Sequence, residues 1–461
     1  MRRMSRPQSL SLLLLACVLL LTGCAQSDRK AGSPPPTPEN VTIDLATDLG
    51  ALEAHTAPLA RPSSANPPKQ LLDALHPLTR GAIPTLVTLG DSVKYDGKFP
   101  GETGDWGKWD QGVEDLVRKQ LATGKPVEFE MWNEPDRPAS FKGKQADFFS
   151  VWVHTARLIR SIDPQAQLVG PTMSKYDYGW LQEFLKVSKE FGVLPDIVCW
   201  HENNSRPDLK GHVNSTGEAF WQDGSNRMYL RAHPSASIDR HFSPADAVLY
   251  LAAMQEAWRF TSFRGIDERL GIKLHHLVTN DHKPRSLFYA YDAYARLLEQ
   301  GGHAAKLTSS KSVDGIATWT HASRTGHLLL GRRLPRKATT QPAKDDSPAQ
   351  EAGLLTVVLK NVPGSRAEIS YSVIPDTGPA ALEHRPGPTS ALMLPVSNTG
   401  EVHLPLPELA DGQACAVQFK ITGTPATTRA TTLPASAPTK TRSVKSIGLS
   451  KMQFRFPARV E

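Results

Sequence analysis

Two carboxylic acids, an amide and an indole crowd the segment Trp132-Asn133-Glu134-Pro135-Asp136, directly after an apolar run. A carboxylic acid in an enclosed site can hold its proton near neutral pH and pass it to a leaving oxygen. An amide and an aromatic edge beside it can hold a hydroxyl-rich ligand in place. Val127, Phe129 and Met131 alternate with Glu128, Glu130 and Trp132, the period of two that a β-strand shows to two environments. Pro135 has no N–H to give to a ladder, so the strand stops there. That alternation puts Glu134 on the face of Glu128, Glu130 and Trp132, at the C-terminal lip of the strand. This is the end at which a parallel α/β barrel carries its chemistry.

The flanking elements alternate strand and helix. Pro84 to Asp91 reads as a buried strand. Trp109, Val113, Leu116, Val117 and Leu121 mark a helix, ended by Gly124-Lys125-Pro126. Phe148, Trp152, Thr155, Ile159 and Ile162 share one helical face, and Gln167 to Gly170 follows as a strand. Trp180 to Glu190 is a helix and Asp196 to Trp200 a strand. Asn226 to Leu230 is the next strand, before a helix opened by Ser243-Pro244-Ala245-Asp246. Lys273 to Val278 closes the series, with a last helix on Leu287, Tyr291, Tyr294 and Leu298. Strands separated by helices pair in parallel through right-handed crossovers, so the expected fold is α/β, a (β/α)₈ TIM barrel over 41–307. Val41 to Leu45 would supply its first strand. About 90 residues separate Val41 from Trp132, which is lean for four units of a barrel of roughly 250 residues, so one early unit is expected to be abbreviated.

Trp-Asn-Glu-Pro after an apolar strand resembles the acid/base signature of the clan A glycoside hydrolases. The longer run Phe129 to Asp136 is most similar to family thirty-nine, the β-xylosidase and α-L-iduronidase family. The resemblance implies that Glu134 protonates a glycosidic oxygen and Asn133 holds a sugar hydroxyl, with Trp132 beside them. Such an acid needs a raised pKa. It also implies a histidine at the sugar site on the sixth strand, which falls on His201 in Trp200-His201-Glu202-Asn203-Asn204.

A retaining enzyme of that clan places a second carboxylate after the seventh strand, roughly 5 Å from the first. Here Leu230 is followed by Arg231-Ala232-His233-Pro234, and the nearest acids are Glu218 and Asp239. Three readings stay open. Glu202 on the neighbouring strand end, or Asp239 on a loop, supplies the second carboxylate; a wider pair with room for water makes an inverting enzyme; or the site retains sugar binding without hydrolysis. Glu134 and Glu202 are taken as the catalytic candidates, with Asn133, His201 and Trp132 as substrate-binding candidates. The expected function is hydrolysis of O-glycosidic bonds in poly- or oligosaccharides, the alternative being a degenerate carbohydrate-binding surface lipoprotein. No metal or other cofactor is expected. Asp281, after the eighth strand, is expected to stabilise helix-start N–H groups rather than line the site.

Met1 to Gly23 carries Arg2, Arg3 and Arg6, then the apolar run Leu10 to Leu21, too short for the roughly 20 residues of a bilayer span. It reads as a secretory signal, and Leu21-Thr22-Gly23-Cys24 resembles a lipobox. Cys24 would then carry a lipid anchor, with Ala25 resembling outer-membrane sorting, and the localisation expected is the bacterial cell envelope. Removing 1–23 lowers the formal charge from +7 to +4, a mild and scattered surplus that gives no nucleic-acid footprint. Of the four cysteines, Cys199 and Cys415 remain as two buried free thiols. Residues 24–40 form a Pro-rich tether.

From Thr308 the pattern turns all-β, with short strands at Ile316–Thr320, His327–Leu330, Leu354–Leu359, Ala367–Val373 and Ala414–Phe419. An appended β-sandwich over 308–423 is expected, interrupted by a solvated insertion from Lys337 to Ala352. Residues 424–461 read as low-complexity linker and tail, with Lys451 to Phe456 either an edge strand or loose.

Overall fold

The computed structural model describes residues 38–52, 85–202, 208–220, 227–232, 243–260, 266–270, 277–279, 281, 283–334, 353–406 and 409–424. Six consecutive strands build a parallel sheet: β2 (Thr85–Thr88), β3 (Val127–Glu130), β4 (Gln167–Met173), β5 (Ile197–Glu202), β6 (Arg227–Ala232) and β7 (Ile266–Leu270). The helices between and after them are α1 (Leu89–Ser92), α2 (Gly107–Leu121), α3 (Gln145–Ile162), α4 (Tyr178–Glu190), α5 (Leu209–Phe220), α6 (Pro244–Phe260) and α7 (Ser286–Glu299). The α/β barrel-like architecture is present: among the described residues the parallel sheet has six strands, five at expected positions and a sixth, β7, that the sequence pattern did not announce. Most of the strand expected at Lys273 to Val278 lies outside the described residues. Leu277 and Val278 are described, and Val278 makes only an isolated bridge to Pro284.

β2 to β5 show one face to the helices and one to the sheet's concave side. Val87, Phe129, Leu168, Val198 and Trp200 join the helix-side core with Trp109, Trp152 and Phe184. Leu86, Val169, Ile197 and Cys199 form a small cluster on the other face. Two indoles pin helices to this layer by satisfying their own N–H groups: Trp109 Nε1 donates to Thr155 Oγ1 at 2.9 Å and Trp152 Nε1 to Val193 O at 2.9 Å. Buried indole N–H groups require such partners.

The second sheet corrects one expectation and enlarges another. Its nine strands run in the order β13 (Leu392–Pro395), β12 (Arg366–Ile374), β15 (Ala414–Thr422), β10 (Thr325–Arg332), β9 (Val313–Thr320), β8 (His303–Thr308), β1 (Glu39–Ala51), β11 (Leu355–Lys360) and β14 (Val402–Leu406). β1 pairs in parallel with β11 and antiparallel with β8, so Val41 to Leu45 belongs here and not to the barrel. Its alternation Val41, Ile43, Leu45 is that of a strand buried on one face only, as in an antiparallel sheet, whereas barrel strands are buried on both. The nine strands are hydrogen-bonded as one sheet around one core containing Val41, Ile43, Trp319, Leu330, Val357 and Phe419. Four further strands, β1, β8, β13 and β14, thus join the five legible from Thr308 onward.

α6 is the hinge between the layers. Ser243 N donates to Asp246 Oδ2 at 2.9 Å and Asp246 N to Ser243 Oγ at 3.1 Å, a reciprocal cap. Arg333, just beyond β10, grips the same carboxylate through Nε at 2.8 Å and Nη2 at 2.7 Å. Gly331 lets the sheet approach this closely, since a Cβ there would lie 2.6 Å from Ala245 O. Cys199 and Cys415 are buried free thiols, and burial pushes the Cys415 thiol up to about 12. The stretches 1–37, 335–352 and 425–461, which hold Cys24, most of the insertion and the tail, lie outside the described residues. Among the described residues no helix is long and apolar enough to cross a membrane.

Candidate active site

β3 ends at Glu130, and the period of two ends with it. Trp132 turns into the helix-side core, 6% exposed, with its ring 5.2 Å from Phe141 and 5.7 Å from Tyr95. Its Nε1 donates to Ser140 O at 3.3 Å. A Cβ on Gly90 would meet this ring at 2.5 Å. Trp132 is therefore a packing residue under the site, and its placement among the sugar-contacting groups is corrected.

Glu134 emerges on a turn with φ of 56°, a left-handed value that costs a non-glycine residue about 1–2 kcal/mol. Thr172, past the end of the neighbouring strand's regular pairing, has φ of 58°. The two strained residues are tied together, Glu134 N donating to Thr172 O at 2.9 Å. The Thr172 hydroxyl is fully buried and has no partner. Asp136 anchors the same turn from the other side, accepting from Ser174 N at 2.7 Å and Ser174 Oγ at 2.5 Å. Asn133 is half-buried, and its carbonyl accepts from Ser140 Oγ.

β5 is buried along its whole length. Ile197 and Cys199 lie on the concave face, so His201 follows them there and Glu202 follows Trp200 to the helix side. His201 is 2% exposed, and its Nδ1 meets Glu134 Oε1 at 2.9 Å. The strand order thus lets Glu134 reach across β4 to a histidine 67 positions later. Glu202 accepts from Trp200 Nε1 at 2.8 Å and pairs with His212 Nδ1 of α5 at 2.7 Å. This overturns Glu202 as the partner of Glu134, because neighbouring residues of a strand point to opposite faces.

The other acids fall elsewhere. Glu218 is exposed on α5, and Asp239 lies outside the described residues. Asp281 is exposed, bonded to Thr279 and 3.6 Å from Lys283 Nζ. It caps nothing, since α7 begins at Ser286 after Arg285. In register beside His201 on β6 stands Arg231, the position region where a second carboxylate was sought.

The electrostatics reverse one expectation. Glu134 Oε2 accepts from Arg137 Nη1 at 2.8 Å, and its side chain is 13% exposed. The His201 hydrogen bond, aided by Arg137 and opposed by desolvation, holds the Glu134 carboxyl down at about 2. A proton donor needs the opposite shift, so the ligand-free protein carries Glu134 as a carboxylate. Two features escaped the sequence reading: Arg137, three residues after the acid, and the pairing of Glu130 with Asp91. In that pair Glu130 is fully buried and accepts from Thr88 Oγ1 at 2.5 Å. Asp91, in α1, is exposed as a residue, yet desolvation of its carboxyl and the charge of Glu130 raise it above the ordinary carboxylate range. Thr88 and Glu130 stand opposite in register, a placement the alternation alone could have flagged. A groove of about 700 Å³ lies elsewhere, on the outer helices beside Asp110, Phe149, Val153, His154 and Phe191. No group of side chains suited to a metal is found among the described residues.

Residues 80–219 match the model described as "Glycosyl hydrolases family 39". The family indicated by the Trp-Asn-Glu-Pro motif is thus the one whose model covers the strand-end residues Glu134 and His201. A curated beta-xylosidase from Geobacillus stearothermophilus is 31% identical over 96 residues, which span 21% of this chain and 18% of that relative. Among solved structures, the N2152 protein of Neocallimastix frontalis aligns with a TM-score of 0.63 at 17% identity, over 84% of this chain and 100% of that one. The GH39 enzyme from Xanthomonas axonopodis pv. citri aligns with a TM-score of 0.57 at 17% identity, over 84% and 98%. A monomeric beta-xylosidase from Caulobacter crescentus CB15 gives 0.53 at 16%, over 83% and 99%. At these identities the structures establish a shared TIM-barrel-like α/β fold.

Proposed function

We propose that the protein hydrolyses O-glycosidic bonds of a poly- or oligosaccharide, with Glu134 as proton donor and Asn133 and His201 positioning the sugar. The observation that carries this reading is the meeting of Glu134 and His201 at 2.9 Å at the C-terminal strand ends, on a left-handed turn. Backbone strain of this kind collects at functional sites. In the reaction the glycosidic C–O bond breaks as the Glu134 proton passes to the leaving oxygen, and water adds its oxygen to the anomeric carbon. The proton that water sheds goes to a base. Glu128 and Glu130 share the concave face of β3, and of the two Glu130 has a second acid, Asp91, beside it; we assign the Asp91–Glu130 pair as the candidate for that role. The name of the Geobacillus relative suggests β-xylosides as the first substrates to try.

The test is turnover of a panel of aryl and natural glycosides by the mature protein and by Glu134→Gln. Hydrolysis by the wild type that falls about 10²- to 10⁴-fold in the variant, with ligand binding kept, supports the reading. A second reading, a carbohydrate-binding protein without turnover, draws on the Arg137 pair and on the engagement of Asp136 and Glu202 with other partners. A wild type inert on every glycoside yet binding glycans would decide for it. We also propose export and a lipid anchor on Cys24, placing the protein at the bacterial outer membrane. Incorporation of labelled fatty acid that disappears in Cys24→Ala would support this, and its persistence would refute it.

A further inference from the structure

Both oxygens of Glu134 are occupied in the ligand-free protein, and their two partners are held very differently. Oε1 meets His201, which is 2% exposed on a buried strand. Oε2 meets Arg137 Nη1 at 2.8 Å, and the Arg137 side chain is 53% exposed. The backbone around Arg137 is tied down. Its N–H donates to Glu134 O at 3.1 Å, and its carbonyl accepts from Ser140 N and Phe141 N, both at 2.9 Å. Glu134 is pinned through its own N–H to Thr172 O. The carboxyl and the imidazole are the enclosed members of the trio, 13% and 2% exposed, whereas the Arg137 side chain, 53% exposed, can leave by rotating into water.

We propose that Arg137 is a positioning residue acting as a latch: its guanidinium covers the Oε2 edge of Glu134 and swings away when a ligand oxygen takes that place. The inference rests on the reading that a sugar approaches Glu134. Among the described residues, the charged or titratable groups bonded to this carboxyl are Arg137 and His201. Its own turn brings Arg137, while Asp136 is turned to Ser174. β4 brings Thr172 and β5 brings His201, with Glu202 directed to the opposite face. While latched, Glu134 is held ionised by His201 first and Arg137 next. Release removes the guanidinium charge and gives the carboxyl the freedom to take up the proton that the chemistry needs.

The full chain, labelled with ¹³C at the glutamate side-chain carboxyl, allows the Glu134 midpoint to be followed by NMR, the resonance being assigned by its loss in Glu134→Gln. The expected result is an upward move of about 0.5 pH unit in Arg137→Gln, the size of a part-exposed ion pair, and a smaller one in Arg137→Lys. Saturating methyl β-D-xyloside should raise the wild-type midpoint and leave that of Arg137→Gln nearly where it was. In turnover, the basic limb of kcat/KM should move up in Arg137→Gln while that of kcat stays, since only the free enzyme is latched. A midpoint unchanged by Arg137→Gln overturns the latch, whether or not the protein turns over any glycoside. A merely structural arginine would lower stability without moving the midpoint. An inert protein whose Glu134 midpoint still responds to Arg137 would refute hydrolysis and leave the latch standing.

Discussion

Removing the His201 imidazole should abolish a pH-dependent part of the protein's stability that can be sized from the site. The Glu134 carboxyl drops from its ordinary 4.5 to about 2, chiefly through His201. At 1.36 kcal/mol per pH unit, that drop is worth about 3 kcal/mol at most between the two protonation states, solvent screening reducing it. Because the folded value lies below the unfolded one, this stabilisation is complete above about pH 4.5 and fades as the pH falls through 2. At pH 3 less than half of it remains. In His201→Ala the hydrogen bond is gone while desolvation, which raises the Glu134 carboxyl, and the Arg137 pair, which lowers it, both persist, so the carboxyl moves back up toward its ordinary range. Urea unfolding of wild type and variant at pH 6 and pH 3 separates this from the cavity left by the ring, which costs the same at both. The stability gap should therefore narrow by up to about 2 kcal/mol on going to pH 3. A gap equal at the two values would show that His201 does not hold Glu134 as a carboxylate.

The junction of the two layers offers another test, since Asp246 is 5% exposed and both caps α6 and holds Arg333. Asp246→Asn, which removes the charge and one of the two oxygens that Arg333 holds, should cost about 3 kcal/mol in urea unfolding; a loss under 1 kcal/mol would mean the pair holds nothing together. Gly90→Ala should cost about 1–3 kcal/mol by driving a methyl group into the Trp132 ring. A neutral result there, seen by thermal melting, would return Trp132 to the site as a movable ring.

The local chemistry of the chain was written in short-range pattern. Period-two alternation located β3 and β5, helical spacing located α2, α3, α4, α6 and α7, and Ser243 with Asp246 announced the cap of α6. The density of polar groups from Trp132 to Asp136 singled out Glu134, and the strand end at His201 singled out its companion. Each of these follows from residues within one element, where side-chain direction is fixed by the backbone repeat. The errors began where that repeat lapsed. Glu134 and Thr172 adopt left-handed turns, so extrapolating the strand period past Glu130 put Trp132 on the wrong face. Glu202 obeys the period, and its neighbour His201 facing Glu134 is what excludes it from the same site.

Only the three-dimensional arrangement settled the rest. Val41 to Leu45 is an equally good strand for either sheet, and its partners β8 and β11 lie more than 250 positions away, beyond the reach of any local pattern. The charge state of Glu134 was likewise undetermined in the sequence. The motif states that a carboxyl is present, but a pKa is set by what lies within a few ångströms. Here that is an imidazole from two strands away and a guanidinium folded back over the turn. The sequence by itself decided which residues could do chemistry; the tertiary structure decided which of them meet and in what protonation state, because contact and desolvation arise only when distant segments pack together.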